Sequence, residues 1–377
     1  AFEVLKVSNK TSARAGVIHT PHGTIRTPNY VPVATNAALK AVDTDAADAA
    51  GMELMFVNTY HMIAQGAVDA VKQAGGLHDF IGRQRPLITD SGGFQVFSLA
   101  SPEQAVLSDS SSPAPGESPP LPHSPLLPTP SLAEALEEVH ELKSKRGGIR
   151  RNETGRVRVR EEGVTFRSYK DGCELLLTPE SSVDAQKALG ADIIITLDEL
   201  PPYRVSPERL RASVARTHRW EERSLRRHLE SPQNQAMYAV IHGGVDRTLR
   251  AESAAWLGAL PFDGYALGGS LGRDRSELLE LLRDVVPHMP PRGPRHLLGI
   301  ADLESIEAAA RLGFDTFDSC WPTRMGRHGT ILTSDGPLTM KHAKWRTDYR
   351  KLDERVDGVV SQRYTRAYLH HLVRANE

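Results

Sequence analysis

Read for where its apolar residues fall, the chain is built from one repeating unit. Short apolar, strand-like runs end in small or polar residues, and a stretch with helical periodicity follows each. Eight such runs occur, at 29–36, 52–61, 86–97, 191–200, 236–244, 263–270, 295–300 and 314–320. Strands alternating with helices imply a parallel sheet, and eight units over this length predict a closed (β/α)₈ barrel. The alternative is a doubly wound open sheet. It is disfavoured because no Gly-rich phosphate fingerprint follows the first strand.

One segment breaks the pattern. Residues 108–131 hold eight prolines among Ser, Gly and Leu, a composition that cannot bury a core and predicts disorder. After it, Ser131 and Glu134 make a capping box, and Leu132, Leu136, Val139 and Leu142 share one helical face. A basic stretch, 143–160, follows. Residues 101–160 are therefore read as a low-complexity insertion in a loop of a single barrel domain spanning 1–377, with 324–377 as a small appended C-terminal part.

Composition narrows the class. The chain has 377 residues, 40% of them hydrophobic and 25% charged, enough apolar content for one large barrel core. No apolar run reaches the roughly 18 residues a membrane span needs. The N-terminus has no basic-then-apolar leader, so a cytoplasmic location is expected, with organellar targeting left open because the initiator Met is missing. Two cysteines, Cys173 and Cys320, support neither a disulfide framework nor a Cys-rich zinc knuckle. A net charge of −1 argues against non-specific nucleic-acid binding. Locally, however, 324–351 carries seven Lys/Arg against two Asp, a surplus able to meet phosphates.

Parallel barrels put their chemistry at the carboxyl ends of the strands. Those ends here hold Asn36, Asn58 with His61, Asp90, Asp198 with Glu199, His242 with Gly243 and Gly244, Gly268 with Gly269, Gly299 with Asp302, and Asp318. Buried carboxylates are costly unless paired, so acids at several strand ends point to function. A lone Asp is as well explained as a helix cap; Asp90, Asp198 and Asp318 together are not. Two carboxylates facing an anomeric carbon suit an oxocarbenium-like transition state, one as nucleophile and one as proton carrier. On that reasoning glycoside hydrolysis and base exchange both stay open. Metal-assisted hydrolysis stays open too, though His61 and His242 are not spaced as a ligand set.

At these residues the chain resembles the tRNA-guanine transglycosylases, or queuine tRNA-ribosyltransferases. The likeness runs through 30–38, Asn58-Thr59-Tyr60-His61, Thr89-Asp90-Ser91-Gly92-Gly93-Phe94-Gln95-Val96, 162–168, Leu197-Asp198-Glu199, Gly243-Gly244-Val245, Gly268-Gly269, Phe317-Asp318, Pro322-Thr323-Arg324 and 361–372. It implies a barrel enzyme that swaps guanine at the anticodon wobble position of a tRNA for queuine or a precursor base. By resemblance Asp318 is the nucleophile on ribose C1′, and Asp90 the general acid/base. Asp198 grips the base edge, Gly268 and Gly269 support the base, and Ser91 and Gln95 lie near the same pocket. Arg324 and Arg327 hold anticodon phosphates, and the reacting nucleoside leaves the loop stack. Gly272 matches a position where a small residue leaves room for queuine. A homodimer, or a heterodimer with a related subunit, is implied as well.

The chain departs from the family at three places. The base-binding Gln before the two glycines is His242, which can donate one hydrogen bond and accept another. Leu200 follows Glu199 where a smaller residue is usual. The family's zinc ligands correspond to Val356, Gly358 and Ser361, none a good zinc ligand, and the chain ends at Glu377 before the matching His. No metal and no other cofactor is therefore expected. The departures leave a second reading, a non-catalytic accessory subunit of a heterodimeric enzyme. A glycosidase of other ancestry would need sugar-stacking aromatics, and Trp321 alone is thin support.

Overall fold

A computed structural model describes residues 1–99, 157–300 and 302–377. Most of the segment read as an insertion, including the capping box and the helix expected after it, lies outside the described residues. Its last four residues, 157–160, do not: there the chain already forms a strand.

Three antiparallel strands come first, β1 (Phe2–Val7), β2 (Arg14–Thr20) and β3 (Gly23–Thr27). The barrel opens with β4 (Asn29–Ala34), β5 (Met55–Val57) and β6 (Leu87–Thr89). A second small antiparallel sheet follows, β7 (Arg158–Val159), β8 (Val164–Arg167) and β9 (Glu174–Leu177). The barrel resumes with β10 (Ile193–Ile195), β11 (Ala236–Ile241), β12 (Gly264–Leu267), β13 (Arg295–Leu297) and β14 (Thr316–Ser319). These eight parallel strands close in the order β10-β11-β12-β13-β14-β4-β5-β6. Each of the eight apolar runs contributes one barrel strand.

The helices between strands start where the sequence supplies acceptors for their orphan N–H groups. Thr178 and Ser181 form a capping box for the helix Pro179–Leu189. Ser206, Asp246 and Asp274 cap the helices Pro207–Leu229, Arg247–Gly258 and Arg275–Val285. Asp302, expected at the mouth, is also a cap: its Oδ1 accepts from Ser305 N at 3.1 Å and from Arg275 Nη2 at 2.9 Å.

Strand side chains alternate between two cores. Outward residues such as Ile194, Ile241, Leu267 and Phe317 pack under the helices. Inward residues, including Val31, Phe56, Ile193, Ile195 and Val240, fill the barrel, joined by Ile18 and Ile25 from the β2–β3 hairpin. Ile25 is fully buried; burial on this scale contributes roughly 1.5–3 kcal/mol per side chain. That hairpin plugs the end of the barrel where the strands begin.

Two polar anchors hold the plug. Arg14 makes a bidentate pair with buried Asp315, Nε–Oδ1 2.9 Å and Nη2–Oδ2 2.6 Å, and also donates to the carbonyls of Pro291 and Gly293. Asp192, just before β10, accepts from His22 N (3.2 Å) and Leu87 N (2.9 Å). Its two oxygens also meet His22 Nδ1 at 2.8 Å and His78 Nε2 at 3.1 Å. The two imidazoles stack 3.4 Å apart. Those contacts hold the Asp192 carboxyl down at about 2 despite its burial.

After the barrel, β15 (Thr330–Thr333) and β16 (Gly336–Thr339) form a hairpin, followed by the helices Val359–Arg363 and Arg366–Ala375. His370 Nδ1 lies 2.6 Å from Met340 O and ties the last helix to the hairpin. Positions 356, 358 and 361 do not fit a zinc ion: an exposed Val, a Gly that caps a helix with its backbone, and one Ser hydroxyl. The turn is closed instead by Gln362, whose Nε2 donates to the carbonyls of Asp353 (3.3 Å), Glu354 (3.1 Å) and Val356 (2.9 Å). Among the described residues, no helix is long and apolar enough to cross a membrane.

Candidate active site

Three of the expected acids come together at the carboxyl ends of β6, β10 and β14, and each is held differently. Asp90 follows β6 directly. Its Oδ1 accepts from Thr59 N at 2.7 Å and its Oδ2 from Asn58 Nδ2 at 2.8 Å, both at the start of the helix Thr59–Ala64. Gln95 adds a side-chain hydrogen bond. Burial outweighs these donors and, with nearby Asp318 adding to it, pushes the Asp90 carboxyl up to about 6. A carboxyl with a pKa near neutrality can both give and take a proton.

Asp318 lies within β14, between outward Phe317 and Ser319. Its Oδ1 accepts from Gly299 N at 2.9 Å and lies 3.0 Å from His296 Nε2. No described residue donates a hydrogen bond to Oδ2. Tyr30 donates its hydroxyl to Ser319 O at 2.7 Å and steadies the strand end. Burial first and Asp318 second raise the Tyr30 pKa, so the phenol stays a donor.

Asp198, at the end of the β10 run, sits 2.7 Å through Oδ2 from His242 Nε2. Asp198 and His242, two of the expected site residues, are therefore direct partners. His242 is aimed by its own backbone N–H, which donates to Ser253 Oγ at 3.1 Å. Its ring lies against Gly269, where a Cβ would come within 3.2 Å of His242 Cε1. Gly268 is as restricted: a Cβ there would lie 2.8 Å from Leu298 Cδ1. Leu200 reaches the same place, 3.6 Å from a Cβ on Gly269. A cleft of about 180 Å³ opens beside His242, Gly269 and Ser270, walled by Pro201 and Tyr203.

Buried Arg250 holds these loops in register. Its guanidinium donates to the carbonyls of Ile241, Gly244 (2.8 Å) and Ser270 (3.0 Å), bridging the turns after β11 and β12. Among the described residues no carboxylate hydrogen-bonds to it; burial brings its pKa down to about 9, with nearby Asp198 opposing the shift.

Ser91 is buried beside Asp90, its Oγ accepting from Gly93 N at 3.3 Å. Arg324 and Arg327 sit three residues apart on the helix Trp321–Arg327, directly after the strand that carries Asp318. Arg324 Nη2 contacts Cys320 Sγ at 3.0 Å. Lys341, Lys344 and Arg346 beyond it are exposed. Gly272 has a different reason to be glycine: with φ of +120°, a Cβ would meet Leu278 N at 3.0 Å, so its side-chain direction faces a helix.

His61 and His242 have different neighbours. His61 Nδ1 lies 3.3 Å from Tyr169 OH, and His242 belongs to Asp198. Among the described residues, the one trio close enough to share a metal is His22, His78 and Asp192, at the other end of the barrel.

Sequence reasoning missed His296, because a single imidazole inside the apolar run 295–300 carries no signal of its own. Its inward register beside Thr316 would have identified it. Thr59 acts through its backbone N–H and was not recoverable.

A family description, Queuine tRNA-ribosyltransferase, matches residues 9–112 and 129–377. The chain is 48% identical over 376 residues to the queuine tRNA-ribosyltransferase of Protochlamydia amoebophila, covering 100% of this chain and 88% of that one. It is 43% identical over 377 residues to that of Chlamydia trachomatis serovar L2 and 42% identical to that of Chlamydia abortus, covering 91% of each. With the barrel, the strand-end acids and matches along nearly the whole length, the chain belongs to the queuine tRNA-ribosyltransferase family.

Proposed function

We propose that this chain is a catalytic pentosyltransferase that exchanges guanine at the wobble position of a tRNA for queuine or a queuine precursor. The exchange runs through a bond between ribose C1′ and Asp318. The observation that carries the reading is the contrast between the two mouth carboxyls. Among the described residues, Asp318 is tethered through Oδ1 and not Oδ2, whereas Asp90 is tethered through both oxygens and has its pKa raised to about 6.

In the first half-reaction the C1′–N9 bond breaks and its electron pair goes to guanine, while Asp318 Oδ2 bonds C1′. Asp90 in its acid form protonates the departing base. In the second half the incoming base loses a proton to Asp90 and bonds C1′, and Asp318 leaves as carboxylate. Asp198 and His242 read the base edge, with one proton held between them. The backbone of Gly268 and Gly269 supports the ring, with Ser91 and Gln95 beside it. Arg324, Arg327 and the exposed cations beyond them take the anticodon phosphates. The C-terminal part does this work without zinc, its turn closed by the Gln362 amide.

An accessory subunit would have no use for a proton-carrying Asp90, which favours the catalytic reading. Incubation with labelled guanine and a tRNA whose anticodon begins with guanosine then uridine tests it. Label should enter the tRNA with the wild-type chain and not with Asp318→Asn. A chain that binds this tRNA but incorporates nothing is an accessory subunit instead.

A further inference from the structure

The nucleophile does not stand alone. His296 is fully buried inside the barrel, its ring centroid 6.1 Å from Phe56 and nearly parallel to it. Nε2 lies 3.0 Å from Asp318 Oδ1, and Nδ1 lies 2.8 Å from Thr316 Oγ1. Thr316 and Asp318 are alternate residues of β14, so both face the ring from one strand.

Chemistry fixes the ring's orientation. An ionised carboxylate only accepts, so the nitrogen facing it must carry hydrogen. In a neutral ring Nδ1 is then an acceptor, and the Thr316 hydroxyl is the donor that meets it. Gly299 N donates to the same Oδ1 at 2.9 Å. Two donors therefore engage Oδ1, while Oδ2 has none among the described residues.

We propose that His296 is a positioning residue for the nucleophile: as the Nε2–H tautomer, locked by Thr316, it holds Oδ1 so that Oδ2 is the oxygen that bonds C1′. The inference rests on the transglycosylase reading. As C1′–N9 breaks and its pair leaves with the base, Oδ2 gives its pair to C1′ and Oδ1 becomes the ester carbonyl, still held. When the new base arrives, the C1′–Oδ2 bond breaks and its pair returns to the carboxylate. Donors to Oδ1 bind the carboxylate more strongly than the ester, so they speed that departure. His296 itself touches neither ribose nor base.

The test compares His296→Leu, His296→Gln and Thr316→Val in guanine exchange, with melting temperature followed in parallel. Leu has no donor; the Gln amide puts an N–H near the place of Nε2. His296→Leu should lower kcat by about ten- to hundred-fold, below the ~10²–10³ of losing an oxyanion-hole donor because Gly299 N still holds Oδ1, while KM for tRNA stays near the wild-type value. His296→Gln should recover most of the loss. Thr316→Val keeps the shape of the strand and should lower kcat severalfold, which serves should the Leu variant not fold. Wild-type kcat in His296→Leu or Thr316→Val overturns the proposal. So does a folded His296→Gln no better than Leu. A wild-type chain that exchanges no guanine takes down the reading beneath it instead, so the two failures are told apart.

Discussion

His242 and Asp198 meet side chain to side chain, Nε2 to Oδ2 at 2.7 Å, with both residues buried at the barrel mouth. On the proposed reading, the imidazole is already engaged to the acid that would read the base. Removing one partner of a buried, charged hydrogen bond costs about 1.5–3 kcal/mol. His242→Ala should therefore raise KM for guanine by about ten- to hundred-fold with a smaller change in kcat. Steady-state exchange at varied guanine checks this; an unchanged KM would remove His242 from the base site.

Asp90 gives a pH signature. Its pKa is about 6 in the folded chain against ~3.9 when unfolded. The folded state binds this proton more tightly, so the contribution favours folding below about pH 4 and is lost as pH rises through 6. The melting temperature of Asp90→Asn relative to wild type should shift in favour of the variant between pH 4 and 7. In activity, kcat/KM for tRNA should fall as pH rises above about 6, because the first half-reaction needs the acid form.

Asp192 has the opposite sign. Its pKa is about 2 in the folded chain, so its contribution is present above the unfolded value and is lost as pH falls from about 4 to 2. Asp192→Asn should cost about 2–3 kcal/mol at pH 7 by that difference, and the gap should close toward pH 2. The residue lies at the opposite end of the barrel from the chemistry, so exchange per folded molecule should be unchanged. Chemical denaturation at several pH values, alongside exchange assays, reads both.

Arg250 bridges the turns after β11 and β12, the proposed base site, through three carbonyls. Arg250→Met leaves those acceptors buried and unpaired, at about 1–3 kcal/mol each where water cannot replace the donor. The variant should melt lower and bind guanine more weakly. Arg250→Lys should not rescue it, because one ammonium cannot reproduce the planar fork.

Legibility in the sequence followed the physics of each element. All eight barrel strands were visible, because strands covered on both faces read as short apolar runs. Asp90, Asp198 and Asp318 were visible because a buried acid at a strand end is costly and so conspicuous. The β2–β3 plug was not: Ile25 sits between Thr24 and Arg26, Ile18 in a short mixed run, and their partners are strands far along the chain. Asp302 shows the limit of the strand-end rule, since a cap and a catalytic acid look alike until the helix behind them is seen. Gly272 is glycine because its backbone has positive φ against a helix, which its sequence neighbours do not reveal. His296 was hidden for a different reason, an inward polar side chain whose meaning lies entirely in what faces it.

The central claim is a covalent bond from Asp318 to the tRNA. It is tested most directly by incubating the chain with a wobble-guanosine tRNA and resolving the products under protein-denaturing conditions. A protein–tRNA adduct is expected with the wild-type chain, discharged by added guanine and absent with Asp318→Asn. An adduct that survives in Asp318→Asn, or guanine exchange by that variant at the wild-type rate, would contradict it.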